Sequence, residues 1–406
     1  MRIKTIPEDF RVEELLKIAV CAEGPYAVFR VEKRNLTTLE AQVRLASALG
    51  VPPSAIHFPA LKDKVAVAIQ HCSIRARKRN FPDSVEIPGI SAKLLGFSAR
   101  HLVSQDLAGN KFTVTLRDIR TEEVRQITVR FEIVSKEGFP NYFDLQRFGS
   151  WSARFGFPGK LLLLGRWEEA LRAYLAEPLA GDPPPVLRFK KIAREHWGDW
   201  KFLKERAPRG NLRSVLTFLC DHPQDFKRAV NLITPRVLSL WLSAYQSFLW
   251  NRVASRVLEK LVGKSQALAH LRFPWGTVAV PVYPLDLELQ RELLDVSLPL
   301  PSAKSVRAGG EDPGSRALLA VLAEEGLELR DLRARGVERA YLPRGGRALW
   351  VVPSEPKARE PEPDELFPGR QKLSLSFSLP PGAYATLLLR LLERLKENLP
   401  KEETAD

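Results

Sequence analysis

Cysteine is scarce in this chain: Cys21, Cys72 and Cys220 lie far apart and in no CxxC pair. A disulfide framework and a structural zinc site are therefore not expected. The six histidines form no HExxH and no close cluster, so no metal site is expected. Neither GxGxxG nor GxxxxGK(S/T) occurs, which leaves a nucleotide cofactor without sequence support. Apolar runs such as Leu161–Leu164 and Ala317–Ala323 fall far short of the roughly 20 residues of a membrane span. The stretch Met1–Phe10 lacks the apolar core of a signal peptide, so a cytoplasmic location is expected. Acidic residues are in the minority, 48 against 62 Lys and Arg, for a formal net charge of +14. Such an excess favours a polyanionic partner.

What the chain does have is apolar material: 45% of its 406 residues are hydrophobic and 27% charged. Disorder across the whole chain is excluded, and the length suggests two or three domains. The first 155 residues alternate strands and helices. Ala27–Lys33 reads as a half-buried strand. Thr37-Thr38-Leu39-Glu40 is a capping box, opening a helix that carries Leu39, Val43, Ala46 and Leu49 on one face and is expected to stop at Gly50. Ile56-His57-Phe58, Val65–Gln70 and Phe112–Leu116 read as further strands. From about residue 156 the pattern turns helical, with 3.6-residue periods over Trp167–Leu175 and Val237–Leu261. Residues 353–368 are Pro-rich and acidic and read as a mobile loop. Lys372–Leu379 then alternates as a strand, and Tyr384–Leu395 reads as an amphipathic helix. The expected fold class is α+β with a mixed or antiparallel sheet. A discontinuous domain, 1–155 with 345–406, is interrupted by an inserted, mainly helical domain, 156–344.

Chemistry concentrates in a few stretches. In Ala60-Leu61-Lys62-Asp63-Lys64-Val65-Ala66-Val67 an aspartate flanked by lysines lies between apolar segments. A carboxylate beside cations is held in its charged form and could serve as nucleophile, general base or metal ligand; an ordinary turn aspartate is the other reading. Asn141–Gly149 packs three aromatics, two amides and an arginine, suited either to reading a base or to a core strand with one polar face. Ser243 and Ser247, four apart on the long helix, favour close helix packing. Residues 188–213 carry nine basic and three acidic side chains among Phe189, Trp197, Trp200 and Phe202. This suits RNA, and equally a solvated helical surface.

Six segments together resemble the motifs of one family, the TruD-type tRNA pseudouridine synthases. They are Lys4–Glu14 (K-x-x-P-E-D-F-x-V-x-E), Leu61–Gln70 (K-D-K-x-A-V with a following Gln) and Leu107–Phe112 (L-x-G-N-x-F). The others are Asn141–Gly149, Ser243–Asn251 and Leu379–Thr386. The resemblance spans residues 4 to 386. It implies a pseudouridine-synthase catalytic domain with an inserted TruD-type RNA-binding domain. It also implies conversion of a tRNA uridine, at tRNA position 13, to pseudouridine by base flipping and without a cofactor. Asp63 matches the catalytic aspartate and Lys4 the basic residue paired with it. Phe10, Lys62, Asn141, Phe143, Gln146, Arg147 and Tyr384 match or flank residues that contact substrate. Arg188, Lys190, Lys191, Arg194, Lys201 and Lys204 are expected to extend the RNA contact. Ala60, Asp144, Trp250 and Tyr384 depart from the usual Gly, Gly, Phe and Phe. A monomer with tRNA as partner, no membrane and no obligate protein partner is expected. Two other readings remain open: a non-catalytic tRNA-binding or remodelling protein, and a metal-dependent nuclease or phosphotransferase drawing on Asp63, Glu8 and Asp9.

Overall fold

The computed structural model describes residues 1–76, 81–263, 266–306 and 312–394. Two compact units emerge, Met1–Phe139 with the chain from Val351 onward, and Pro140–Trp350. The joins fall at 139/140 and 350/351, where the sequence pattern put them near 155 and 345.

The chain opens with β1 (Phe10–Leu16), β2 (Tyr26–Arg34), α1 (Thr38–Ala48), β3 (Ile56–His57) and β4 (Val67–Arg75). It continues with β5 (Ser84–Ile87), β6 (Ile90–Ser98), β7 (Leu107–Ile119), α2 (Thr121–Glu137) and β8 (Phe139–Pro140). Then come α3 (Pro158–Leu163), α4 (Trp167–Leu175), α5 (Pro184–Glu195), α6 (Trp200–Arg206), α7 (Asn211–Asp221), α8 (Phe226–Asn231) and α9 (Pro235–Val262). The hairpin β9 (Leu268–Phe273) and β10 (Gly276–Pro281) leads to α10 (Leu287–Asp295), β11 (Ser297–Pro299), α11 (Pro313–Glu324) and β12 (Gly346–Ala348). The chain returns through β13 (Trp350–Val351) to β14 (Ser354–Ala358), β15 (Glu362–Pro363), β16 (Gln371–Leu379) and α12 (Ala385–Arg394). Leu395, the expected end of the last helix, lies outside the described residues.

In the first unit a ten-stranded sheet runs β14-β16-β7-β1-β4-β2-β6-β5, with β15 on β16 and β3 on β4. Its ladders are antiparallel except β1 with β4, so the fold is α+β with a mixed sheet. That exception builds the site. β4 threads between β1 and β2, with Val67 opposite Arg11 in the parallel ladder and opposite Arg34 in the antiparallel one. The residues entering β1, those entering β4 and those closing β2 therefore share one end of the sheet.

Strand β4 is buried from Val67 to Ile74, as a strand covered on both faces must be. One cover is α1, which packs Ala41, Leu45 and Ala46 onto Phe29, Val31 and Ile74. Its capping box forms as expected: the Glu40 N–H donates to Thr37 Oγ1 at 3.1 Å and the Thr37 N–H to Glu40 Oε2 at 2.7 Å. The apolar face read from the sequence is split: Ala46 is buried and Leu49 packs against the core, while the other two residues face outward. Leu39 is 46% and Val43 56% exposed, because Ala41 and Leu45 define the stripe that meets the sheet. Elsewhere Phe377 of β16 stacks on Phe112 of β7 and meets Phe131 of α2. Gly109 in β7 must be glycine, since a Cβ there would lie 2.3 Å from the Leu379 carbonyl oxygen.

The acidic stretch 353–368 is also corrected: it supplies β14 and β15 to the sheet edge. Arg117 explains why. Its buried guanidinium donates to Asp9 at 2.7 Å, to Asp364 at 2.8 Å and to Glu365 at 3.0 Å. A buried cation needs such partners, and two of them come from this segment.

The second unit is built around α9, 28 residues long and buried along most of its length. Gly159 of α3 lets that helix approach α9, for a Cβ would lie 2.3 Å from the Trp241 carbonyl oxygen. No helix among the described residues is long and apolar enough to cross a membrane.

Candidate active site

Lys4 and Asp63 meet at the end of the sheet where β1 and β4 begin. Lys4 Nζ donates to Asp63 Oδ2 at 2.5 Å, and the two side chains keep 23% and 20% of their surface exposed. The ammonium also lies 4.2 Å from the centroid of the Phe10 ring, a cation–π contact. Lys4 adopts a left-handed backbone, φ 56°, which costs a non-glycine residue roughly 1–2 kcal/mol. Phe10 is buried, with Lys4 over its ring and Phe112 edge-on at 5.9 Å.

The loop bearing Asp63 is tied down from several sides. The Lys62 N–H donates to Thr38 Oγ1 at 3.0 Å, and Gln70 Nε2 donates to the Ala60 carbonyl at 2.9 Å. Thr38 Oγ1 in turn donates to Gln70 Oε1. Lys33 Nζ donates to the carbonyl of Asp63 itself at 2.6 Å. Lys62, expected to contact substrate, points its ammonium inward, 2.9 Å from Glu14 Oε1. The buried Glu14 carboxylate requires that partner. Burial pushes the Glu14 carboxyl up, but neighbouring His71 and Lys62 outweigh it and the net direction is down. Thr38, Lys33, Glu14 and Gln70 were missed as support. Glu14 and Gln70 belong to the motif segments; Lys33 carries no sequence signal beyond being a lysine in a strand.

The carboxylates a metal reading would recruit are otherwise engaged. Asp9 accepts from Arg117 and from the Ile6 N–H, and Glu8 pairs with Arg34. Two apolar side chains of the loop, Leu61 and Val65, stand exposed, as do Leu39 and Val43 of α1. Tyr384 is half-buried at the start of α12, after the turn that follows β16.

The other expected substrate residues lie in the second unit. Asn141 is buried, donating to the Ala348 carbonyl and accepting from Arg347 at its Oδ1 and its carbonyl, both at 2.7 Å. Phe143 forms a reciprocal pair with the Asn251 side chain, each bond 2.8 Å. Its ring meets Trp250 edge-on and lies 4.1 Å from the Arg347 guanidinium. Arg147 donates to Ser247 Oγ at 3.0 Å, and Gln146 is exposed. The long-helix motif is thus structural, as expected, and its task is specific: Ser247 and Asn251 hold the Asn141–Gly149 segment in place. Asp144 has φ −102°, so glycine is not required there. Arg347 was missed; it is about 200 residues from its partners in a stretch without periodicity.

The basic stretch divides. Arg188, Lys191, Arg194 and Lys201 are exposed and Lys204 is half-buried. Lys190 is a correction: it is buried and paired with Asp182 at 2.8 Å, since a cation on the inner face of α5 needs an anion. Arg194 also pairs with Glu177. Phe189 and Trp200 face the core, while Trp197 and Phe202 lie under Arg172 and Arg206. The rings serve the fold here, and the outward chemistry is cationic.

Comparison with known proteins agrees with this geometry. The family model for tRNA pseudouridine synthase D (TruD) matches residues 1–392. The chain is 29% identical over 394 residues to a probable tRNA pseudouridine synthase D 2 of Methanocaldococcus jannaschii, covering 96% of this chain and 91% of that protein. It is 29% identical over 397 residues to the tRNA pseudouridine synthase D of Aquifex aeolicus, covering 97% and 98%. The crystal structure of the putative tRNA pseudouridine synthase D of Methanosarcina mazei superposes with a TM-score of 0.69 at 25% identity, covering 96% and 93% of the two chains. With its motifs in order and the Lys4–Asp63 pair formed, the chain belongs to the tRNA pseudouridine synthase D (TruD) family.

Proposed function

We propose that this enzyme isomerises one uridine of tRNA, at tRNA position 13, to pseudouridine, with Asp63 as the catalytic carboxylate. The observation that carries this reading is the Lys4–Asp63 pair: close, partly open to solvent, and set on a loop fixed by Thr38, Gln70 and Lys33. The reaction breaks the C1′–N1 bond and forms a C1′–C5 bond. N1 gains a proton and C5 loses one, so no oxidant or reductant enters. Asp63 acts at the sugar, by attack on C1′ or by assisting cleavage through a glycal-like intermediate. Lys4 orients the carboxylate through its hydrogen bond, and the Phe10 ring packs against the Lys4 ammonium.

The target base must leave its stack to reach Asp63. Exposed Leu61 and Val65 on the loop supply apolar surface for bases left without stacking partners. Catalysis is assigned to the first unit. Tyr384, with Gln146 and Arg147 of the second unit, is assigned to substrate contact. Asn141 and Phe143 shape their segment, and Arg188, Lys191, Arg194, Lys201 and Lys204 contact phosphates.

The test is pseudouridine mapping by carbodiimide labelling and primer extension. Unmodified tRNA is incubated with wild-type protein or Asp63→Asn, without added metal or nucleotide. One new pseudouridine with wild type and at least a thousandfold slower formation with Asp63→Asn is expected. Activity retained by Asp63→Asn would refute the catalytic assignment; tRNA bound but unmodified by both would favour the remodelling reading.

A further inference from the structure

The buried Lys33 has no part in the bond changes written above, yet it touches the catalytic residue. It lies next to last in β2, opposite Ala68 of β4 and Ile90 of β6, and is 1% exposed. Nζ donates to two carbonyls, those of Leu36 and Asp63, each at 2.6 Å. An ammonium in such a place is unfavourable for the fold, because its hydration is lost and an apolar residue of similar shape could fill the space. The charged groups facing it are Asp63 and Lys62 on the loop and Glu40 on α1. Burial, reinforced by Lys62, pushes Lys33 down to about 8 against the pull of Asp63 and Glu40.

We propose that Lys33 is a positioning residue: by clamping the carbonyl of Asp63 it fixes the loop so that the carboxylate meets the ribose at reacting distance. The inference rests on the function proposed above. Thr38 and Gln70 hold the loop at Lys62 and Ala60; Lys33 acts at residue 63 itself. A catalytic group needs its place fixed to within about 0.5 Å, and a displacement of about 1 Å costs on the order of a hundredfold in rate. The clamp is strongest while Lys33 is charged, since bonds from an ammonium are stronger than those from an amine.

The experiment compares Lys33→Met and Lys33→Arg with wild type in single-turnover pseudouridine formation and tRNA binding across pH. Lys33→Met is expected to lose about a hundredfold in kcat with tRNA Kd within twofold. Wild type is expected to lose kcat as pH rises through about 8, where Lys33 gives up its proton. Lys33→Arg stays charged there, so it should recover part of the rate and lack that alkaline fall. A folded Lys33→Met with kcat within threefold of wild type overturns the proposal. So does an alkaline fall that persists in Lys33→Arg, a readout that decides even if Lys33→Met does not fold. Should wild type form no pseudouridine, the function reading fails by itself. Hydrogen exchange over residues 58–67 then decides for Lys33: protection in Lys33→Arg but not in Lys33→Met supports the clamp, and equal protection overturns it.

Discussion

Two ion-pair clusters sit in the same unit and teach opposite lessons. Around Arg117 the partners Asp9 and Asp364 have side chains 1% and 0% exposed, and guanidinium and carboxylates close on one another. Around Asp63 the carboxylate meets the Lys4 ammonium, and both side chains keep about a fifth of their surface open. Both are cation–carboxylate clusters. Saturation makes the first cluster a fastener for the sheet edge; the second stays partly open to solvent, which is the property that the function proposed for Asp63 requires.

One substitution in each cluster is the strongest way to break this contrast. Arg117→Met strands two buried carboxylates and is expected to lower stability by about 3–5 kcal/mol, measured by denaturant unfolding. Asp63→Asn should change stability by less than about 1 kcal/mol while abolishing activity. Comparable losses of stability in both would erase the distinction.

Acid sharpens it. Arg117 and Lys372 hold the Glu365 carboxyl down at about 2. At Asp364 burial pushes up, but bonds from the Asp118 and Leu366 N–H groups and from Arg117 win, and the net direction is down. Depressed carboxyls stabilise the fold above their unfolded values, and that stability is lost as pH falls through the folded ones. Thermal midpoints should therefore drop progressively from about pH 4.5 towards 2, and Arg117→Met should flatten the slope.

The smallest effect tests closed against open cations in the second unit. Removing Arg188, Lys191 and Lys201 should weaken tRNA binding. The slope of log K against log salt should also become shallower, by about 0.7–0.9 for each phosphate no longer neutralised. Lys190→Ala should leave that slope unchanged, because its ammonium is engaged by Asp182.

Much of this was legible in the sequence wherever the signal was local. The Thr37–Glu40 box and the helix Trp167–Leu175 follow from residues within a turn or two of each other. Lys4 and Asp63 stand out through motif order, and the parallel register of β1 and β4 supplies the physical reason that they meet. The errors arose where partners are distant. Helical period marked Leu39 and Val43 as apolar neighbours but could not say which face met the sheet. Proline and acid in 353–368 looked like a solvated loop, because Arg117, which draws two of those acids inward, lies about 250 residues earlier. Arg347 escaped for the same reason, its partner Asn141 lying about 200 residues earlier, and Lys33 because a lysine reads as surface until the carbonyls around it are known.

The strand order has a consequence for synthesis. β7 emerges from the ribosome early, but its neighbour β16 begins only at Gln371, about 250 residues later. At roughly 5–20 residues per second that interval is on the order of 10–50 seconds. Through it β7 presents an unpaired edge, and Arg117 awaits Asp364 and Glu365. The second unit can complete itself meanwhile, so the half of the molecule that carries Asp63 begins first and finishes last.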